Sequence, residues 1–336
     1  MRFLVAAVLL LGCKDSKPEE QKAAPPAPQA NAKAAPNMEG PGPAPGPGVD
    51  PWQTKADPDA LPSLSERVKL ADEACPAVTG PFFFEIVKDG KTAHILGTRH
   101  ISVGLAKFPP VVGDTLDHAS RAVFEISPSD HGEGKHVEEP IKDELGPKDW
   151  RHFEELIGAQ MAANFEKAEP DAAALSMLVL YEDLSNTLES QLQARANDHH
   201  IPMSGLETSA FQDGVLARLL DLRMLRASIQ QTKDRAEIKK DSHDDLAQYC
   251  KGTDDSPGMD AEERGKMMKA GYTAAELDAM DEVLVYKRNA DWIPKLSKLF
   301  QEDRVFVAVG ADHLIGSRGV IELLKKEGFS VTRITK

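Results

Sequence analysis

The sequence predicts an α/β domain with a mixed central β-sheet, flanking helices and a large helical insertion. A β-hairpin is predicted near its start, where two apolar runs flank Asp89-Gly90, a pair typical of tight hairpin turns. A strand, turn, helix and second strand are predicted over residues 305–334, and such a βαβ unit usually crosses to a parallel strand. Between them, from about residue 150 to 299, the apolar residues mostly have helical spacing.

The N-terminus has the features of an export signal. Met1 and Arg2 precede an apolar run of about nine residues, which fits a signal-peptide core and is too short to span a bilayer. The following Leu-Leu-Gly-Cys resembles the lipobox of bacterial lipoproteins, so we expect residues 1–12 to be removed and Cys13 to be lipidated. We therefore expect a membrane-anchored lipoprotein of the bacterial cell envelope that faces the periplasm. An ordinary signal peptide is the alternative, and it too predicts export.

Residues 13–62 are predicted to form a disordered tether. This stretch is dominated by Pro, Ala, Gly and Lys, and it cannot bury enough apolar surface to offset the entropy of ordering. The folded domain is expected over residues 63–336. The predicted contact with the membrane is through the N-terminal lipid only.

The elements within the domain follow from its apolar patterns and turn residues. A helix is predicted over residues 63–73, where serines are available as caps. The remaining predictions are strands at 82–87, 92–96, 121–126, 201–206, 305–309 and 329–334, with helices at 111–119 and 319–326. Residues 215–250 are expected to be helical, with one apolar face.

Charge and cysteine content limit the possible partners and chemistry. The chain has 54 acidic and 40 basic residues and a net charge of -14, so a nucleic-acid partner is not expected. Besides Cys13 there are only Cys75 and Cys250, which could form one disulfide in an oxidising compartment. The sequence leaves that pairing open. Neither cysteine lies beside a histidine or in a CxxC motif, so a catalytic thiol is not expected.

Four predicted strands end near a polar side chain of catalytic type: His100, Glu125, Glu207 and His313. Because ligands of open α/β sheets bind at the carboxyl ends of the strands, we expect these four side chains to converge. Both histidines end a Gly-x-x-His motif that follows an apolar strand. One such motif is a weak signal, but two together with two carboxylates indicate a functional site.

Other histidines carry weaker signals. His131 and His136 could bind a metal, but a solvated loop is the favoured interpretation. His94 is expected to be structural. His199 and His200 lie at a predicted helix end, where the helix dipole favours positive charge.

Four segments of the domain carry a resemblance to a known family. They are FFFEIVKDGKTAHILGTRH with AVFEIS (82–127), IPMSGLETSAFQ (201–212), YKRNADW (286–292) and VFVAVGADHLIGSRGVIELLKKEGFSV (305–331). Here the chain resembles the TraB/GumN group, which includes the PrgY pheromone-shutdown proteins and the Tiki proteases. Tiki proteins are metal-dependent peptidases with paired Gly-x-x-His motifs, so the resemblance implies a hydrolase.

The resemblance also singles out Arg288, because the family carries an arginine at this point. A guanidinium there could bind a substrate carboxylate or stabilise a developing oxyanion. The alternative is a surface salt bridge.

The leading hypothesis is a metal-assisted hydrolase that acts on a peptide or protein substrate. His100 and His313 would hold a divalent ion, with Glu125 or Glu207 as a further ligand and the other glutamate as general base. Zn, Mn and Co all suit such ligands. Two alternatives stay open: metal-free hydrolysis, with a histidine as general base and a glutamate orienting it, and a non-enzymatic envelope protein that sequesters a peptide.

Overall fold

The computed structural model describes residues 61–130, 140–185, 187–253, 259 and 261–335, and every structural statement below concerns these residues. The predicted signal peptide, Cys13 and nearly all of the predicted tether lie outside them, as do His131 and His136. In the part of the chain so described, we find no helix that is both long and apolar enough to cross a bilayer.

The elements alternate between strands and helices. The strands are β1 (Phe83–Lys88), β2 (Lys91–Thr98), β3 (Arg121–Ile126), β4 (Met203–Glu207), β5 (Val305–Gly310) and β6 (Ser330–Arg333). The helices are α1 (Leu64–Ala74), α2 (Pro110–Asp117), α3 (Ile141–Ile157), α4 (Ala159–Asn164), α5 (Pro170–Leu178), α6 (Leu188–Asp198), α7 (Ser209–Leu219), α8 (Leu222–Gln231), α9 (Arg235–Lys251), α10 (Ala261–Lys269), α11 (Ala274–Asp281), α12 (Lys287–Leu299) and α13 (Val320–Lys326).

The six strands form one mixed sheet in the order β4-β3-β5-β2-β1-β6. The first four are parallel to one another, and β1 is antiparallel to both β2 and β6. The hairpin between β1 and β2 turns at Asp89 and Gly90, which both have positive φ, as a type I′ turn requires. The α/β class, the mixed sheet and the helical insertion are therefore confirmed.

The C-terminal strand, helix and strand are present, but their strands are not neighbours in the sheet. β5 lies between β2 and β3, where it pairs in parallel with both. β6 lies at the far edge, where Val331 pairs with Ile86 of β1. β5 and β6 still run in the same direction, and two strands separate them.

The apolar stretch predicted over residues 215–250 is divided among three helices. The side chain of Asp221 accepts the Met224 N–H at the start of α8, and that of Asp234 accepts the Glu237 N–H at the start of α9. These caps satisfy donors that would otherwise have no partner at a helix N-terminus. The interruptions therefore come from capping residues inside an otherwise helical pattern.

Two apolar clusters stabilise the domain. One surrounds the sheet and includes fully buried side chains such as Ile95, Phe306 and Val307. The other lies among the helices of the insertion and includes Phe153, Leu225 and Leu277. The helical insertion thus has a core of its own.

Cys75 and Cys250 form a disulfide, with 5.7 Å between their Cα atoms. It joins the residue after α1 to the last turn of α9 across 175 positions of sequence, and both cysteines are buried. The pairing that the sequence left open is therefore present.

Candidate functional site

The four predicted strand-end residues lie at one edge of the sheet. Glu207 is the last residue of β4, and Glu125 is the penultimate residue of β3. His313 ends the short 3-10 turn Ala311–His313 that follows β5, and His100 comes two residues after β2. Because β4, β3, β5 and β2 are consecutive parallel strands, their carboxyl ends bring these residues to a common edge.

Three of the four side chains surround Gly310, the last residue of β5. A methyl group built on Gly310 would lie 3.2 Å from Glu125 Oε1, 3.6 Å from His313 Cδ2 and 3.7 Å from His100 Nε2. We call this space beside Gly310, bounded by His100, Glu125 and His313, the cradle. A glycine at this position leaves the cradle open.

Glu125 is buried and accepts hydrogen bonds on both carboxylate oxygens. Oε1 accepts the Gly310 N–H at 2.6 Å, and Oε2 accepts from Arg288 at 3.0 Å. Burial raises the pKa of this carboxyl, but positive charge at His313, Arg288 and His100 and the Gly310 N–H outweigh it and bring the pKa to about 2. Glu125 is therefore ionised at neutral pH.

Arg288 is buried beneath the cradle. Its Nη2 donates to Glu125 and Glu207, its Nε donates to Glu207 at 3.1 Å, and its Nη1 donates to the Leu284 carbonyl at 2.9 Å. The side chain is 2% exposed. Arg288 is thus not a surface salt bridge, and it holds together the carboxylates that end β3 and β4.

Glu207 lies behind Arg288. Both of its oxygens accept hydrogen bonds from Arg288, and Oε2 also accepts from Trp292 Nε1 at 3.3 Å. Burial raises the pKa of Glu207, and the neighbouring charge of Arg288 opposes that rise. Of the two glutamates, it is Glu125 that lines the cradle.

His313 is a buried imidazole held on two sides. Its Nδ1 lies 2.7 Å from Asn289 Oδ1, and its ring packs on Trp292 with 4.5 Å between centroids. Its Nε2 lies 3.9 Å from Glu125 Oε1. Burial and the charge of Arg288 lower the pKa of His313 to about 3, so the ring is neutral at neutral pH.

His100 contacts the first turn of α6. Its Nδ1 lies 2.6 Å from Glu189 Oε1, and its carbonyl accepts the Leu188 N–H at 3.2 Å. Burial raises the pKa of Glu189, but His100 and the Thr98 hydroxyl lower it overall. The ring of His100 therefore faces the partly buried carboxylate of Glu189 on one side and the cradle on the other.

The loop that carries His100 is fixed by a second buried carboxylate, Glu182. It accepts hydrogen bonds from Arg99 Nη2 at 2.9 Å and from Ser102 Oγ at 2.6 Å. Ser102 has a φ of 67°, which is unusual for a residue other than glycine. The contacts of Glu182 hold the backbone in that conformation.

Sequence reasoning missed four polar residues of this site: Glu182, Glu189, Asn289 and Gln212, whose Nε2 donates to Glu125 Oε2 at 3.4 Å. Asn289 directly follows Arg288 in the YKRN segment, and that position was the available signal. Glu189 lies in a polar stretch that looks solvent-exposed. Glu182 directly follows the apolar run over residues 172–181, and that position was the available signal of its burial. Two histidines that the sequence places outside the site make contacts elsewhere. His94, expected to be structural, stacks on Phe83, and His199, expected at a helix end, pairs with Asp117 at 3.3 Å.

Within the described ranges, no group of three or more His, Cys, Asp or Glu residues is arranged to hold a metal ion. The donors considered for a metal are those of the cradle. They are two imidazoles and a carboxylate oxygen that already accepts a backbone N–H.

Comparison with known proteins extends these observations. Over 69 residues the chain is 35% identical to a protein of Amphimedon queenslandica named metalloprotease TIKI homolog, a match covering 18% of this chain and only 14% of that protein. No solved structure matches the chain. The model of the TraB/PrgY/gumN family matches residues 82–333, which include every residue of the site described above. The chain therefore belongs to the TraB/PrgY/gumN family.

Proposed function

We propose that this protein is a hydrolase, more specifically a peptidase, that cleaves a peptide or protein substrate at the cradle. The observation that carries the proposal is the convergence of His100, Glu125 and His313 on Gly310. Family membership and the short match to a protein named a metalloprotease support the same activity.

The donor types of the cradle, rather than their arrangement, support a divalent ion. His313 is a neutral imidazole and Glu125 an ionised carboxylate, which are the protonation states that metal ligands need. His100 and His313 would hold the ion together with Glu125, and the mixed nitrogen and oxygen donors suit Zn, Mn or Co. When bound, such an ion supplies Lewis acidity, which polarises a carbonyl and makes water a better nucleophile.

The remaining residues of the site hold the carboxylates of Glu125 and Glu207 in place. The positive charge of Arg288 offsets the negative charges of Glu125 and Glu207, and its hydrogen bonds fix the position of both carboxylates. Trp292 donates to Glu207 and packs on His313, so one side chain contacts both a carboxylate and an imidazole of the site. These contacts favour Glu125 as the residue at the cradle and Glu207 as its support.

The test uses protein purified without chelator and without a His tag. Elemental analysis is expected to find a divalent ion, and hydrolysis of a mixed peptide panel is expected to stop in chelator. His100→Ala and His313→Ala should each lose the ion and the activity. His199→Ala, which replaces a half-exposed histidine directly after the C-terminal end of α6, should keep both. The apo forms are compared for thermal stability, because a bound ion raises apparent stability by mass action.

Metal-free hydrolysis is the second candidate, and the contacts of Glu125 favour it. Both oxygens of this carboxylate already accept hydrogen bonds from Gly310 and Arg288. In this case His100 would act as general base. Peptide cleavage that continues in chelator, by protein without bound metal, would select this candidate. Peptide binding without turnover would instead select the sequestering protein and contradict both enzymes.

We also propose that the domain is exported and anchored to a membrane by lipid at Cys13. The Cys75–Cys250 disulfide supports an oxidising compartment. Cys13→Ser should abolish detergent partitioning and leave the signal peptide uncut by the lipoprotein-specific peptidase. Mature wild-type protein with an unmodified Cys13 would exclude the anchor.

A further inference from the structure

The first turn of α6 holds the loop that carries His100 at three points. The Leu188 N–H donates to the His100 carbonyl at 3.2 Å, and Glu189 Oε1 lies 2.6 Å from His100 Nδ1. The Gln191 side chain accepts the Leu105 N–H at 2.9 Å. Two of these contacts fix the backbone. Only the one from Glu189 reaches the ring.

We propose that Glu189 is a positioning residue that sets the orientation and the tautomer of His100. The carboxylate accepts a hydrogen bond from Nδ1–H, so Nε2 carries the lone pair and directs it towards the cradle. The hydrogen bond made by one ring nitrogen decides which nitrogen carries the proton. This inference rests on the proposed function, because it assigns Glu189 a role through His100.

The two imidazoles of the site are held in different ways. His313 is held by Asn289, whose neutral amide oxygen lies 2.7 Å from Nδ1 and whose Nδ2 donates to the Arg318 carbonyl. His100 is held by a carboxylate whose side chain is 14% exposed. A carboxylate partner makes an imidazole a stronger base and ligand than an amide partner does. The two imidazoles therefore face partners of different charge.

The direct test reads the tautomer without using activity. Protein labelled with nitrogen-15 in histidine is studied by long-range proton–nitrogen correlation in chelator, and His100 is assigned by the loss of its signals in His100→Ala. In wild type, Nδ1 of His100 should carry the proton and Nε2 should not. In Glu189→Ala the proton should shift towards Nε2. An unchanged Nδ1–H tautomer in that variant would overturn the proposal.

Kinetics provide the second readout. Glu189→Ala should lower kcat by about 10–100-fold with little change in KM, and Glu189→Asp, which keeps the carboxylate, should recover part of the loss. Ser190→Ala is the matched control, because its exposed hydroxyl lies in the same turn and contacts only Thr187 among the residues described. Equal kcat in wild type and Glu189→Ala would contradict the positioning role.

Two further outcomes separate the possible failures. Glu189→Leu fills the space of the side chain in case Glu189→Ala unfolds. If all three Glu189 variants unfold, Glu189 is structural and the inference is wrong. If wild type hydrolyses no peptide while the tautomer still depends on Glu189, the proposed function fails and the positioning role stands.

Discussion

The guanidinium of Arg288 lies 3.0 Å from the Glu125 carboxylate in a place where their side chains are only 2% and 4% exposed. Glu207 shares the same guanidinium, so one positive charge faces two carboxylates. Removing one partner of a buried ion pair is costly, because it leaves an uncompensated charge in the interior. Among the residues of the site, Arg288 is therefore the one whose removal is expected to lower the free energy of unfolding most.

The first prediction compares two Arg–Glu pairs of different burial. Arg288→Met should lower the free energy of unfolding by about 3–5 kcal/mol, as breaking a buried ion pair does. Arg318→Met should lower it by less than about 1 kcal/mol, because the Arg318–Glu282 pair is half exposed. Urea denaturation measures both. Equal losses of unfolding free energy in the two variants would mean that water screens the ion pairs of Arg288 with Glu125 and Glu207.

The second prediction concerns the cradle. Gly310→Ala should abolish most hydrolysis and any metal binding, because the added methyl would occupy the space between Glu125, His100 and His313. Stability should fall only slightly, since φ at Gly310 is -51°, which alanine adopts readily. Activity and thermal unfolding are measured side by side. An alanine variant with normal activity would show that the reacting atoms bind elsewhere.

The third prediction is a dependence of stability on pH. The folded state lowers the pKa of His313 from 6.5 to about 3, so between these values the unfolded chain binds a proton that the folded one does not. Stability that is present above pH 6.5 is therefore lost as the pH falls, by up to about 1.4 kcal/mol per pH unit. Glu125 acts in the same direction at lower pH, because its pKa is also lowered.

The measurement for this prediction is urea unfolding in chelator, from about pH 7 to about pH 5. His313→Gln removes the titrating group, so its unfolding free energy should change less steeply with pH than that of wild type. Parallel curves for the two proteins would show that His313 keeps an ordinary pKa.

The fourth prediction concerns the disulfide. Replacing Cys75 and Cys250 together by serine should lower the free energy of unfolding by about 2–5 kcal/mol, because the link closes a long loop. A reductant should destabilise wild type and leave the double variant unchanged. Wild-type protein with two titratable thiols in its native state would contradict the pairing.

Much of the fold follows from local sequence pattern. The strand predicted over residues 121–126 has these bounds in the structure, and the Asp89-Gly90 turn forms the predicted hairpin. The ends of strands can also be located from the sequence, and this is why it predicts His100 and Glu125 as site residues. Apolar runs and turn residues are local signals, so a single sequence carries them.

Other features depend on contacts between distant residues. The position of β5 between β2 and β3 is decided by pairing across about 180 residues or more, which no local pattern records. The burial of Arg288 and the partial burial of Glu189 could not be predicted for the same reason. A charged residue on a polar helix looks exposed until its partner is known.

The position of β5 also has a consequence for biogenesis. A nascent chain that ends before Val305 contains β2 and β3 but not the strand that pairs with both. Such a chain presents two unpaired apolar strand edges, which are templates for aggregation. We therefore expect the unfinished chain to need a chaperone until β5 has emerged. Completion of the sheet and assembly of the cradle would then occur in a single late step, because Gly310 and His313 arrive together with that strand.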